Sequence, residues 1–457
     1  MKIVILGAGQ VGSSVAESLV SEQNDITVVD LDAQRLHALQ DRFDLRTVVG
    51  SAAHPSVLKQ AGIEDADLLI AVTQSDDTNL VACRLASCIF NVPRRIARLR
   101  ATDYLANEKV IGEDGFDIDL VICPEQVLTD YIVKLVEFPE ALQVLDFAGG
   151  RVSLVAVRAY AGGPLVGRPL KDLRAHVPNV DARIVAIFRG DRSIVPDGDT
   201  VVEPDDEVFC LASSGHIREV MRELGRMDRP VKRVMIAGGG NIGLRLALAL
   251  EKDYTVRVIE HNKRRCEALG ARLGQALVLN GDATDEALLE DEGIRDMDLF
   301  VAVTNDDENN IMSSLLAKRM GARRVVALIN RRSYVDLLQA GQIDIAISPA
   351  QATIGTLLAH VRRGDVVAVH SLRRGAAEAI EAVVHGDRSS SRIAGRRIEE
   401  IGLPAGATIG AIVRGEDVLM AHHDTRIEPE DHVIVFVTSK RLVPQVERLF
   451  QVSAGFL

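Results

Sequence analysis

Short apolar runs alternate along this chain with amphipathic stretches of helical spacing. The apolar runs are rich in Val and Ile, and most of them end in glycine or a polar residue. This alternation predicts βαβ units, in which a parallel sheet is covered by helices. The predicted strands of the first region are 2–6, 26–29, 46–49, 67–72, 95–99 and 119–122.

The pattern occurs twice. The segment 3–12 returns as 234–243, with its glycines in the same places. Further matched segments, in unchanged order, are 28–30 with 258–260, 49–52 with 280–283, 69–73 with 300–304, 122–124 with 347–349, and 203–206 with 428–431. Packing alone would preserve apolar positions, whereas this repeat also preserves glycines and acids. The chain is therefore interpreted as a duplication.

Each copy has two parts. The second part contains the predicted strands 152–157 and 206–211 among Gly, Pro and Asp turns, which indicates a small α+β module. The fold class is therefore α/β, with two tandem Rossmann-type parallel-sheet domains, each followed by a small α+β C-terminal module. The predicted domains are 1–138 (Rossmann nucleotide-binding), 139–228 (regulatory module), 229–362 (Rossmann) and 363–457 (regulatory module), with 226–232 linking the copies.

A glycine loop in each copy is the main candidate for ligand binding. It follows a strand and precedes a helix, the context in which Gly-x-Gly-x-x-Gly binds the pyrophosphate of a dinucleotide. The free N–H groups of the helix start then face the phosphates. The predicted contact residues are Gly7, Ala8, Gly9, Gln10, Val11 and Gly12 in copy one, and Gly238, Gly239, Gly240, Asn241, Ile242 and Gly243 in copy two. The alternative is a glycine turn that serves packing alone.

An acid ends the second strand of each copy, Asp30 in the first and Glu260 in the second. A carboxylate there accepts hydrogen bonds from the ribose hydroxyls of adenosine and repels a 2′-phosphate. This favours NAD(H), or another adenine nucleotide such as ATP or ADP, over NADP(H) at the first site. The alternative is a turn residue at the strand end. At the second site the basic segment 263–265 leaves the ligand open, and a degenerate site is the other reading.

The carboxyl end of the fourth strand provides further candidates, because ligands bind at that edge of an open α/β sheet. Thr73 and Gln74 in copy one correspond to Thr304 and Asn305 in copy two, and both pairs are predicted to contact ribose or phosphate. Arg98, at the end of the fifth strand, is predicted to meet a phosphate. Its alternative is a salt bridge, and copy two has Leu328 at this place.

Composition excludes several classes of protein. The formal charge of −12 over 457 residues argues against nucleic-acid binding. We expect no direct membrane insertion, because no apolar run approaches the roughly 20 residues of a membrane span. Five cysteines without a Cys-x-x-Cys pair fit a reduced, cytoplasmic protein without a secretory signal.

Catalytic and metal signals are weak. The His422-His423-Asp424 run is interpreted as a polar turn, and Asp76-Asp77 as helix N-terminal charge. The two copies share no catalytic constellation, since His176 and His385 fall at unrelated places. We therefore predict a non-catalytic protein with no metal site.

These features resemble the tandem regulator-of-potassium-conductance family of bacterial Trk potassium uptake systems. The resemblance rests on both glycine loops, on Asp30 and Glu260, and on the Ala-Val-Thr segments with Asn79 and Asn310 beyond them. It covers essentially the whole chain. One departure is Ser51, which stands where copy two has Asp282, the usual family residue.

The resemblance implies a nucleotide-sensing regulatory subunit that docks on a membrane potassium-translocating subunit of the Trk type. It implies a peripheral location on the inner face of the plasma membrane and a homo-oligomer, commonly a tetramer. NAD(H) and ATP/ADP are the ligands implied. Two rivals stay open: a cytosolic NAD-dependent oxidoreductase, and a redox-sensing transcription factor, which would need a DNA-binding helix pair and a basic face.

Overall fold

The computed structural model describes residues 1–20, 24–105, 107–190, 192–225, 230–331, 333–334, 342–361, 366–372 and 377–452. Each copy has a parallel six-stranded sheet followed by an antiparallel five-stranded sheet. The α/β fold class is confirmed. The domain boundaries predicted at 228/229 and 362/363 lie outside the described residues, as do 226–229 of the predicted linker.

The first parallel sheet has the strand order β3-β2-β1-β4-β5-β6. Its strands are β1 (Lys2–Leu6), β2 (Asp25–Asp30), β3 (Arg46–Val49), β4 (Leu68–Ala71), β5 (Arg94–Arg98) and β6 (Leu120–Ile122). Its helices are α1 (Gln10–Val20), α2 (Ala33–Gln40), α3 (Pro55–Gln60), α4 (Asp76–Cys88), α5 (Thr102–Leu105), α6 (Glu108–Ile111) and α7 (Pro124–Glu137). The order reverses at β1 and β4, so the crevice of a doubly wound sheet lies at their carboxyl ends.

Local sequence explains these elements. All four residues of β4 are buried, as expected for a central parallel strand covered on both faces. Helix α2 begins after Asp32, whose carboxylate accepts the N–H groups of Gln34 and Arg35. Helix α4 begins after Ser75, whose hydroxyl accepts the N–H of Thr78.

The first module is an antiparallel sheet in the order β10-β9-β11-β8-β7. It contains β7 (Ala141–Phe147), β8 (Val152–Arg158), β9 (Ala182–Arg189), β10 (Arg192–Ile194), β11 (Glu207–Ser213), α8 (Leu173–His176) and α9 (Ile217–Leu224). Helix α9 buries Ile217, Val220, Met221 and Leu224. This apolar face at helical spacing covers one side of the sheet.

The second copy repeats both sheets. The parallel sheet, in the order β14-β13-β12-β15-β16-β17, contains β12 (Arg233–Ala237), β13 (Thr255–Glu260), β14 (Leu277–Asn280), β15 (Leu299–Ala302), β16 (Arg324–Leu328) and β17 (Ile345–Ile347). Its described helices are α10 (Asn241–Leu250), α11 (Lys263–Gly270), α12 (Glu286–Asp291), α13 (Asp307–Met320) and α14 (Pro349–Val361). The module contains β18 (Val366–Leu372), β19 (Ala377–Val383), β20 (Ala407–Arg414), β21 (Asp417–Met420), β22 (His432–Val437) and α15 (Val443–Phe450).

The copies pack against each other through reciprocal helix pairs. Helix α7 of copy one lies on α10 of copy two, and α14 of copy two lies on α1 of copy one. Leu128 and Ile132 share a core with Leu246 and Leu250. In each copy, the helix after the sixth strand (α7 or α14) therefore covers the helix that follows the other copy's glycine loop.

The two modules also share one core. Phe209 and Phe436, from opposite sheets, have ring centroids 6.1 Å apart. At Gly410 a Cβ would lie 2.7 Å from a methyl carbon of Leu211, so the sheets approach closely there. Among the helices of the described residues, none combines the length and apolarity needed to cross a membrane.

Candidate nucleotide-binding cleft

Both glycine loops open into one continuous cleft of about 1870 Å³ between the copies. Of the predicted site residues, those that line it are Gly7, Ala8, Gly9, Gln10, Val11, Asp30, Thr73, Gln74 and Arg98 from copy one, and Gly238, Gly240, Asn241, Ile242, Glu260, Thr304 and Asn305 from copy two. Gly12, Gly239 and Gly243 lie behind the wall. The cleft thus brings together the candidates of both copies, which the sequence had treated as two separate sites.

The loop glycines divide into three roles. Gly7 and Gly238 have φ of +106° and +105°, a backbone conformation that favours glycine. A Cβ on Gly12 would lie 1.8 Å from the carbonyl oxygen of Gly7, and copy two repeats this contact at 1.9 Å. A Cβ on Gly9 or Gly240 would meet nothing within 4 Å. These last two positions are open toward the cleft, where a pyrophosphate would approach the backbone.

The acids of the two copies are held in the same way. Asp30 accepts hydrogen bonds from the Ala8 N–H at 2.5 Å and the Asp32 N–H at 2.8 Å. Glu260 accepts them from the Gly239 N–H at 3.0 Å and the Asn262 N–H at 2.8 Å. Each carboxylate therefore ties the glycine loop to the end of the second strand.

The threonines at the end of the fourth strand are locked from behind. Asn79, fully buried, accepts the Thr73 N–H at 3.0 Å and the Thr73 hydroxyl at 2.7 Å through the same Oδ1. Its amide donates to the Arg98 carbonyl at 2.8 Å. Asn310 repeats this arrangement around Thr304 and the Leu328 carbonyl. These asparagines connect the ends of the fourth and fifth strands. The neighbouring Gln74 and Asn305 side chains are exposed at the cleft.

Arg98 forms the salt bridge that the sequence offered as its alternative, and it also lines the cleft. Its guanidinium lies 3.1 Å from Glu125, and the Arg100 Nε lies 3.6 Å from the same carboxylate. Burial lowers the pKa of Arg98, while Glu125 opposes that shift. Within the part of the chain that the structure describes, the buried Nε atoms of Arg98 and Arg100 have no hydrogen-bond partner. Two guanidiniums thus share the Glu125 carboxylate at this wall.

Copy two lacks this group. Leu328, Asn330 and Ala350 stand where copy one has Arg98, Arg100 and Glu125. In its place Arg245 of α10 reaches across to copy one, donating to the Gln126 side chain at 2.7 Å and the Arg100 carbonyl at 3.0 Å. The helix behind the second glycine loop is therefore bonded directly to the wall of the first site.

The acids that begin α4 and α13 do more than the helix-dipole interpretation predicted. Asp76 accepts the N–H groups of Arg100 and Ala101, each at 2.9 Å. Asp307 accepts those of Asn330 and Arg331. Each acid thus connects, through hydrogen bonds, the loop after the fifth strand to the start of the helix that follows the fourth strand. The repeated acid pair was the signal in the sequence, but the partner loop was not apparent from it.

Other candidates of the sequence lie elsewhere. His422 and His423 lie in an exposed turn, as predicted. His176 contacts Glu223, and His385 contacts Glu430. Within the described ranges, no group of three His, Cys, Asp or Glu side chains is arranged to hold a metal ion. Asp282 lines the cleft, and the N–H and hydroxyl of Thr284 lower its pKa.

Comparison with known proteins gives the family. The TrkA-N domain model matches residues 3–124 and 234–349, and the TrkA-C domain model matches 154–225 and 388–451. The fold and cleft thus define a tandem protein of paired TrkA-N and TrkA-C domains. The chain is 59% identical to the Trk system potassium uptake protein TrkA of Halomonas elongata and 57% identical to that of Vibrio alginolyticus, each over the full length of both chains. It belongs to this family of Trk system potassium uptake proteins TrkA.

Solved structures share the fold at low sequence identity. The GsuK RCK domain superposes with a TM-score of 0.62 at 19% identity, covering 98% of this chain and 94% of that one. The GsuK channel bound to NAD superposes with a TM-score of 0.61 at 18% identity, covering 98% and 78%. These matches confirm the paired parallel and antiparallel sheets of each copy.

Proposed function

We propose that this chain is a nucleotide-binding regulatory subunit of a potassium uptake system. It binds NAD(H), with ATP and ADP as further ligands, and transmits its occupancy to a membrane potassium-translocating subunit of the Trk type. It is non-catalytic, acts on the cytoplasmic side of the membrane as a homo-oligomer, a tetramer in our proposal, and is held at the membrane by its partner. The relatives named as Trk uptake proteins support this function, as does the NAD-bound GsuK channel, which shares the fold.

One observation carries the proposal: both glycine loops face a single cleft whose walls come from both copies. A nucleotide seated on the first loop lies beside Arg98 and Arg100, and Arg100 is bonded to α10 of the second copy. Ligand contacts therefore depend on how the two copies are placed. A ligand shifts a conformational equilibrium only by its difference in affinity for the two states, and such a cleft supplies that difference.

The first experiment is calorimetric titration of the purified chain with NADH, NAD⁺, ATP and ADP. Gly9→Val and Gly240→Val are matched variants, since a Cβ added at either position meets nothing within 4 Å and both positions line the cleft. We expect about two equivalents of nucleotide per wild-type chain and one in each variant. Normal binding by both variants would mean that the ligand sits elsewhere.

The second experiment separates regulator from enzyme. The chain is combined with its Trk-type membrane subunit in vesicles, and potassium flux is measured with each nucleotide. We expect flux to depend on the nucleotide in the wild type and to lose that dependence in the Gly9→Val/Gly240→Val double variant. Steady oxidation of NADH in the presence of a small-molecule substrate would favour the oxidoreductase alternative instead.

A further inference from the structure

We propose that the second site binds an adenine nucleotide whose ribose carries a phosphate, the chemistry of NADP(H), whereas the first site rejects it. This inference rests on the proposed function, because it assumes that both loops bind nucleotides. It concerns only the adenosine end of the cleft, where the two copies differ in charge.

At the first site the arginine near the acid is already taken. Asp32 caps α2 and lies 3.2 Å from the Nε of Arg35. Among the described residues, Asp30 accepts hydrogen bonds from two main-chain N–H groups, and its neighbour Leu31 is exposed and uncharged. A ribose phosphate placed here would meet two carboxylates and one guanidinium that is paired to one of them.

At the second site a single exchange removes the capping carboxylate that pairs with the arginine in copy one. Asn262 replaces Asp32: it still caps its helix by accepting the Arg265 N–H, but it carries no charge. Arg265 instead lies 3.6 Å from Glu260, and it is half exposed at the cleft. His261 replaces Leu31, with its ring nitrogen 3.2 Å from Glu260.

The surrounding residues add to this contrast. Lys263 and Arg264, both exposed, stand where copy one has Ala33 and Gln34. With neutral histidine, segment 30–35 carries a formal charge of −1 and segment 260–265 a charge of +2. A phosphate monoester carries close to two negative charges at neutral pH, so this difference acts on it strongly.

Glu260 is buried whereas Asp30 is half-buried at the cleft, so Glu260 opposes the phosphate less than Asp30 does. The Glu260 carboxylate is 2% exposed and accepts two main-chain N–H groups, so it is stabilised without Arg265. The Arg265 guanidinium therefore turns to an incoming phosphate, which it binds with two parallel hydrogen bonds. The exposed His261, which also lines the cleft, provides a further polar contact.

The test measures one site at a time. The Gly9→Val chain reports the second site and the Gly240→Val chain reports the first, each titrated with NADPH and NADH at low salt. We expect the affinity ratio of NADPH to NADH to be about tenfold or more higher at the second site. Adenosine 2′,5′-bisphosphate, compared with its 3′,5′ isomer, identifies the ribose position.

Two conservative exchanges test the cause. Asn262→Asp keeps the helix cap but gives Arg265 the partner found in copy one, so NADPH affinity at the second site falls while NADH affinity is kept. Asp32→Asn releases Arg35 and raises NADPH affinity at the first site. Equal ratios at both sites, or a ratio that Asn262→Asp leaves unchanged, would overturn the inference while NADH binding still supports the proposed function. A Gly9→Val chain that binds neither NADPH nor NADH would also overturn the inference. If the wild-type chain does not bind NADH either, the proposed function is overturned as well.

Discussion

Asp30 and Glu260 show how much one side chain organises before any ligand arrives. Each accepts an N–H of its own glycine loop and an N–H two residues further along the chain. The loop is thus held in place by the carboxylate that we propose as the ribose contact. Such preorganisation lowers the entropy lost on binding.

Asp30→Ala is expected to weaken nucleotide binding at the first site by about tenfold or more, because hydrogen bonds to a charged group contribute roughly 1.5–3 kcal/mol each. The chain stays folded, since Asp30 lies at the cleft surface. Calorimetry in the Gly240→Val background measures this site alone, and Glu260→Ala in that background serves as the control without effect. Unchanged affinity of the Asp30→Ala chain would refute the ribose assignment.

The sequence predicted those residues whose role is set by local chain geometry. The glycine loops, the strand-end acids and the helix starts all follow from short-range spacing. The roles of Asn79 and Asp76 did not, because each depends on the loop after the fifth strand. The salt bridge between Arg98 and Glu125 joins residues on different elements and was visible only as an open alternative.

Elements in this protein are positioned by very close contacts at their ends. Helix α1 approaches the turn after β1 so closely that the third glycine of the loop admits no side chain. The same contact recurs at the start of α10. The helix start is therefore placed by packing, and its free N–H groups are directed toward the cleft as a consequence.

Gly12→Ala is expected to destabilise the first parallel-sheet domain by about 1–3 kcal/mol, because the new methyl would overlap the Gly7 carbonyl oxygen. Gly9→Ala, at an open position of the same loop, is the matched control and keeps wild-type stability. Thermal unfolding followed by circular dichroism compares the two. Equal melting temperatures for both variants would contradict the packing role of Gly12.

Strand β18 brings His370 into the junction between the copies, where its ring stacks edge-on against Phe147 and bonds the Asp146 carbonyl at 3.2 Å. Burial lowers the pKa of His370 below its ordinary value of 6.5, aided by Lys134 and opposed by the Asp146 carbonyl and Glu381. As pH falls through about 6.5, His370 takes up a proton in the unfolded chain but not in the folded chain, where it is buried. Stability is therefore lost toward acid pH.

His370→Phe keeps the ring and removes this titration. Between pH 7.5 and pH 5.5 we expect the melting temperature of this variant to fall less than that of the wild type. The difference corresponds to up to about 1.4 kcal/mol of unfolding free energy per pH unit. His423→Asn, in an exposed turn, is the control and follows the wild type. A drop of the same size in all three chains would show that His370 does not contribute.

On the scale of the whole molecule, duplication has produced a pair in which each copy completes the other's surroundings. The sequence showed that there are two copies but not that they share a cleft. Relative placement depends on which apolar helix faces meet, here α7 with α10 and α14 with α1. Every amphipathic helix has such a face, so periodicity alone does not select its partner.

The last prediction concerns coupling between the two sites through Arg245, which bonds the second copy's α10 to Gln126 and to the Arg100 carbonyl. When Arg245 is intact, blocking the second site with Gly240→Val is expected to change NADH affinity at the first site severalfold. This change lies within the roughly 1–3 kcal/mol typical of coupled sites. In the Arg245→Ala background the same block has little effect, because the direct connection is gone. The four chains form a double-mutant cycle measured by calorimetry.

Arg264→Ala, on the exposed start of α11, gives a matched cycle with coupling intact. Coupling of equal size in the Arg245→Ala and Arg264→Ala cycles would show that the two sites communicate by another route.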